Sequence, residues 1–179
     1  MLKHMYKLGA IALLVGAGGI ANAQTVVPVP DQSQTTTLIA QVGEQVRINV
    51  PATVTFVVAN VANPTNATAA ITLDNIVLSS ATRQLNLLVR AEAAAFTPPV
   101  VGDPTWVAGD VSWAAGGWVN GAGAGGTLST TFSSVVLGTG NATSVSNAGM
   151  AMTLAANTAV NRSGSHTLLI RWRVEGVGL

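Results

Sequence analysis

The last sixteen residues, GSHTLLIRWRVEGVGL (Gly164–Leu179), alternate in a period of two. Leu168, Ile170, Trp172 and Val174 fall on one side, and Leu169, Arg171, Arg173 and Glu175 on the other. Successive side chains of a strand point to opposite faces, so this is a strand with one face on a core and one in water. In VRINVPATVTFVVANV, Val46, Ile48 and Val50 share a face, and Val54, Phe56 and Val58 resume it beyond Pro51. Pro51, which has no N–H to give a ladder, marks a bulge or a strand that changes sheets. ITLDNIVL (71–78), RQLNLLVRAE (83–92), LSTTFSSVVL (128–137) and GMAMTLA (149–155) complete the set, separated by Gly, Pro, Asn and Ser.

No stretch carries a persuasive 3.6-residue stripe, and only Ala91–Ala95 leaves room for a helical turn. Short β-prone runs with frequent turn signals predict an all-β fold, a single antiparallel β-sandwich. In that fold Thr36–Val42 forms a first strand and Ser79-Ser80 the turn of a hairpin. Asn63-Pro64-Thr65-Asn66 is a turn, and the terminal strand sits inside a sheet with Arg171 and Arg173 outward.

Residues 1–23 stand apart. Lys3 and Lys7 precede an apolar run from Leu8 to Ile20, and Ala21-Asn22-Ala23 offers a small-residue cleavage site. This is the layout of a secretory signal peptide, too short for a membrane span, and no later stretch reads as one. The domain plan is therefore signal peptide 1–23, an extended arm with the first strand 24–45, and a sandwich 46–179. The product is secreted, to the periplasm or a bacterial cell surface.

Without the leader the chain keeps six arginines and no lysine against seven carboxylates. Such a chain has no basic footprint for nucleic acid. There is no cysteine, so an exported domain must hold itself by packing and backbone pairing. Its surface of hydroxyls and amides guards poorly against self-association.

The chemistry-bearing residues read mostly as structure. Gly121-Ala122-Gly123-Ala124-Gly125-Gly126 matches the spacing of a dinucleotide loop, but strand-like TLSTTF follows where a helix is required, so it reads as a flexible hairpin loop. His166 is the only histidine after the leader; it has Ser163 and Ser165 as neighbours but no nucleophile elbow, and it cannot build a zinc site alone. Asp103, Asp110 and Asp74 lack calcium-loop spacing and read as turn residues. The triplets at Asn66, Asn141 and Asn161 match the glycosylation acceptor, which a bacterial export signal leaves without a use. No catalytic, cofactor or metal residue is assigned, and the chain reads as non-enzymatic. Trp106, Trp113 and Trp118 lie within one Gly/Pro-rich stretch; they either roof the core or contact a partner or glycan.

Signal peptide, Pro-punctuated arm, Thr/Val/Asn/Gly-rich β domain and strong final strand together resemble bacterial fimbrial subunits, in particular a cysteine-free branch of the chaperone–usher pilins. The resemblance implies an Ig-like sandwich, a periplasmic chaperone, and assembly in which an N-terminal arm adds a strand to the next subunit. The donor side chains would be Val26, Val27 and Val29, or Leu38, Ile39 and Val42. The chain departs from that pattern in lacking cysteine and in ending Val177-Gly178-Leu179.

The function expected is that of an exported structural or adhesive surface protein, a homo-oligomer or one of several surface subunits. The alternatives are a carbohydrate-binding module using the Trp-rich loop and, more remotely, a hydrolase built on Asp103, Asp110 or Glu92.

Overall fold

Alternating apolar residues on both of two stacked sheets need a common interior, and the architecture provides one. The computed structural model of the chain describes residues 36–178. The expected signal peptide, residues 1–23, and Val26, Val27 and Val29 lie outside the described residues. Gln41–Leu179 forms one unit, beyond which Thr36–Ala40 precede it.

Among the described residues nine strands follow in chain order: β1 (Gln45–Asn49), β2 (Thr65–Val77), β3 (Gln84–Ala91), β4 (Val111–Trp113), β5 (Gly121–Gly123), β6 (Gly126–Thr127), β7 (Ser133–Gly138), β8 (Val145–Leu154) and β9 (Ile170–Val177). One sheet has the order β1-β2-β8-β4-β6 and the other β5-β7-β3-β9, every pair antiparallel. The fold is all-β, two antiparallel sheets forming a sandwich. Ile71 and Leu73 of β2, Met150, Met152 and Leu154 of β8, and Val111 and Trp113 of β4 meet Leu85, Leu87 and Val89 of β3 and Val135 and Val136 of β7 in one buried cluster.

One buried polar residue, Asn147, explains a break in the β8 pattern. Val145 and Asn147 point inward, and then the parity shifts to Met150, Met152 and Leu154. The β2–β8 register slips between Ala69 and Ile71, so an extra residue bulges from β8. Asn147 holds that bulge: its Oδ1 accepts the Gly149 N–H at 3.0 Å and its Nδ2 donates to the Gly116 carbonyl at 2.9 Å. A buried amide is tolerated because both of its ends are used.

Several sequence expectations are corrected. Thr36–Val42 is not a strand; the first strand among the described residues begins at Gln45. β2 and β3 are not a hairpin, because they belong to different sheets and Ser79-Ser80 lies on the connection between the layers. Residues 121–126 are not a loose loop: they supply β5 and β6, one to each sheet, whereas most of TLSTTF lies outside any strand. No helix occurs at Ala91–Ala95, and a short 3-10 turn stands instead at Ala108–Asp110. The turn expected at Asn63–Asn66 closes earlier, at Val61–Asn63, and Thr65 and Asn66 already belong to β2.

The final strand requires the most consequential correction. Among the described residues it is an edge strand, bonded to β3 alone and not flanked on both sides. Its face assignment stands: Ile170, Trp172 and Val174 pack against the core, half-buried, and Arg171 and Arg173 are exposed.

Candidate functional site

Register fixes which backbone groups of β9 are available. The Glu92 N–H donates to the Leu169 carbonyl at 2.9 Å, so residues 92 and 169 form a hydrogen-bonded pair. In an antiparallel ladder such pairs alternate with non-bonded ones. Arg171, Arg173, Glu175 and Val177 therefore bond to β3, and the N–H and C=O groups of Ile170, Trp172, Val174 and Gly176 point off the sheet.

One of these outward groups is already capped. Arg83 donates to the Gly176 carbonyl at 2.9 Å and to the Gly178 carbonyl at 3.3 Å, and its guanidinium lies 2.9 Å from Glu44, an ion pair made by proximity. Glu44 also accepts the Ser79 N–H at 2.8 Å, and hydrogen bonding from Ser79, by its hydroxyl first and its N–H second, holds the carboxyl below the usual range more than the charge of Arg83 does. The chain thus enters β1 beside the far end of β9, which leaves Ile170, Trp172 and Val174 as the open stretch of edge. Unprotected edges of this kind are templates for strand pairing.

Just before that entry point the chain is unusually apolar for a surface. Leu38 is 92%, Ile39 79% and Val42 73% exposed, and none lies in a strand. These are three of the six arm positions singled out from the sequence.

The outer face beside β9 is closed by charge. The Phe132 ring lies 4.3 Å beneath the Arg173 guanidinium carbon and 4.9 Å from that of Arg90. Glu92 accepts from Arg171 at 2.7 and 3.3 Å and from Arg90 at 3.1 Å. Leu88, buried yet outside the core cluster, sits directly opposite Arg173 on this face. The terminal arginines therefore cover an apolar residue and occupy an aromatic ring, and their charge is spent on neighbouring carboxylates.

These pairs set an acid limit on stability. Hydrogen bonds from Arg171 lower Glu92, and hydrogen bonds from Arg47 lower Asp74, as the Ser79 bonds lower Glu44. A carboxylate lowered in the folded state adds stability above its unfolded pKa, near 4, and loses it as pH falls through the folded value. Thermal midpoints are expected to be flat from about pH 5 to 7 and to fall below about pH 4. Glu44 and Glu92 are exposed and Asp74 is half-buried at the surface, so 1 M salt should shrink the drop. A midpoint that rises on acidification contradicts this.

The remaining candidates are held in structural roles. Trp106 and Trp113 are each only 5% exposed; their indole N–H groups donate to the Ala155 carbonyl at 2.9 Å and the Ala124 carbonyl at 2.7 Å. Trp118 is half-buried against Gly123. The three indoles do not share an open face. His166 has both ring nitrogens engaged, Nδ1 by the Thr105 hydroxyl at 2.8 Å and Nε2 by the Arg162 carbonyl at 3.3 Å. Asp103 lies 3.2 Å from Arg162, and Asp110 accepts the Val107 N–H at 2.8 Å. No cluster of three or more metal-ligating side chains occurs among the described residues. No helix among them is long and apolar enough to cross a membrane. A shallow depression lined by Ile76, Leu78, Ala81, Asn141, Ala142 and Thr143 has no charged side chain on its wall.

What sequence reasoning missed was the backbone. An edge is a property of which strand lacks a neighbour, and no residue type reports it. No protein-family model, curated protein or solved structure matches the chain.

Proposed function

We propose that this is an exported, non-enzymatic structural or adhesive surface protein that self-associates by strand addition. The observation that carries the reading is the coincidence of an open β9 edge with an exposed apolar arm. Leu38, Ile39 and Val42 are side chains that a neighbour's surface would bury, and the outward groups of Ile170, Trp172 and Val174 need a strand's backbone. Main-chain bonds give such a contact its strength and alternate side chains its register. Val26, Val27 and Val29 extend the donor toward the mature N-terminus. Other copies of this chain are the favoured partners, with a fimbrial layout the closest analogue and a periplasmic chaperone its natural escort.

The test is light scattering on the chain from residue 24, beside a Leu38→Asp, Val42→Asp double variant. Both positions are exposed, so the variant should melt at the same temperature. The parent is expected to form species that grow with concentration, and the variant to stay monomeric. If both are monomers, or both associate equally, arm donation is wrong.

A further inference from the structure

Between β1 and β2 the chain runs through Pro51–Ala59, nine residues with the burial rhythm of a strand. Val54, Phe56 and Val58 are half-buried against the core, and Thr53, Thr55 and Val57 are exposed, Val57 at 80%. Yet no backbone N–H or C=O in this stretch bonds to any described residue. The β1–β2 ladder ends at Asn49–Thr72, and Pro51 cannot extend it. What remains is a strand in side-chain placement and in composition, with its backbone unused on both sides among the described residues.

Natural edges are usually defended by charge, by proline or by shortness. This one has proline only at its start. From Ile48 to Leu73 the sequence contains no Asp, Glu, Lys or Arg. The window TVTFVV is β-branched and aromatic throughout, the composition that pairs most readily with its own kind.

We infer that Pro51–Ala59 is a pairing edge for the same segment of a second copy of this chain. The segment is self-complementary. Antiparallel pairing about Thr55 sets Thr55 opposite Thr55, Val57 opposite Thr53 on the wet face, and Phe56 opposite Val54 on the core face. Aromatic and β-branched pairs of this kind are the favourable ones, and no like charges meet. Because the same patch serves both copies, the contact closes as a two-fold dimer. One short ladder falls below the roughly 1,200–2,000 Å2 of a standard interface, so the dimer is weak and strongly concentration-dependent. The inference extends the self-association reading but uses a different surface, and it stands or falls apart from the arm.

The experiment is hydrogen exchange, read by mass spectrometry on residues 51–59 of the full mature chain, across a dilution series. Three variants accompany the parent. Thr55→Pro puts a residue of fixed φ and no N–H at the centre of the ladder, where a paired strand does not tolerate it; Thr55→Lys places like charges opposite each other; Leu38→Asp, Val42→Asp disables the arm. Protection at 52–59 should rise at least tenfold with concentration in the parent and in the arm variant, and should vanish in both Thr55 variants. If Thr55→Pro lowers the melting temperature, Thr55→Lys alone decides. Unchanging exchange across the dilution series overturns the dimer, as does protection that survives Thr55→Lys. Protection lost in the arm variant means that the arm, and not a second edge, covers this segment.

Discussion

Trp113→Ala is expected to lower stability by about 3–5 kcal/mol, the range for truncating a large buried aromatic. Trp113 is the inward residue at the end of β4, 5% exposed, with its indole N–H given to the Ala124 carbonyl at 2.7 Å. The substitution removes the ring and also orphans a carbonyl in the segment that joins β5 to β6. β4 and β6 form the far side of their sheet, with β4 paired to β8 and β6 to β4. A cavity there loosens the strands that hold the glycine-rich region. Chemical denaturation of the chain from residue 24 checks the value; a loss below about 1 kcal/mol would mean that Trp113 is not part of the core.

Gly123→Ala is expected to be the most damaging single-methyl change, with a loss at or above the upper end of the usual 1–3 kcal/mol for overpacking. A Cβ at Gly123 would overlap the Ala115 carbonyl oxygen and the edge of the Trp118 ring. Backbone oxygen has no rotamer with which to move aside. Gly109→Ala is the control, since a Cβ there meets nothing nearby. Equal melting temperatures for the two variants would show that the Trp118 loop moves freely off β5.

These two positions mark where the sequence was readable and where it was not. Trp113 fits an alternating inward position beside Val111, and core packing was one of its three readings, beside contact with a partner or a glycan. Alternation reports which face a residue takes, and so the inward side of β9 was legible, whereas β3 and β7 were legible as strands from their β-prone composition alone. Alternation does not report the neighbour, so the edge position of β9 and the placement of β2 and β3 in different sheets were not. Gly121–Gly126 was misread because glycine has no side chain with which to declare a face. There the residue type answers to close approach, of Gly126 to the Trp113 ring and Gly123 to Trp118. The β8 bulge was hidden for a similar reason: Ala148-Gly149 breaks the parity, and only Asn147 signals that something holds the break.

The arm misled in the opposite direction. Thr36–Val42 has strand composition and was expected to be a strand, but composition supplies only half of a ladder. Pro51–Ala59 repeats the lesson with its side chains already seated on the core. Both are strand-competent segments without a bonded neighbour among the described residues, in a chain with little charge to keep copies apart. That shared property supports self-association more than any single side chain does.

The most direct measurement is amide exchange at Ile170, Trp172 and Val174 in the mature protein, dispersed and concentrated. Arm donation to β9 predicts that these three outward amides become protected on concentration, and that Arg171 and Arg173, already bonded to β3, do not change. The protection should disappear in Leu38→Asp, Val42→Asp. Assembly that leaves the three amides exchanging at their dispersed rate would contradict strand addition at β9.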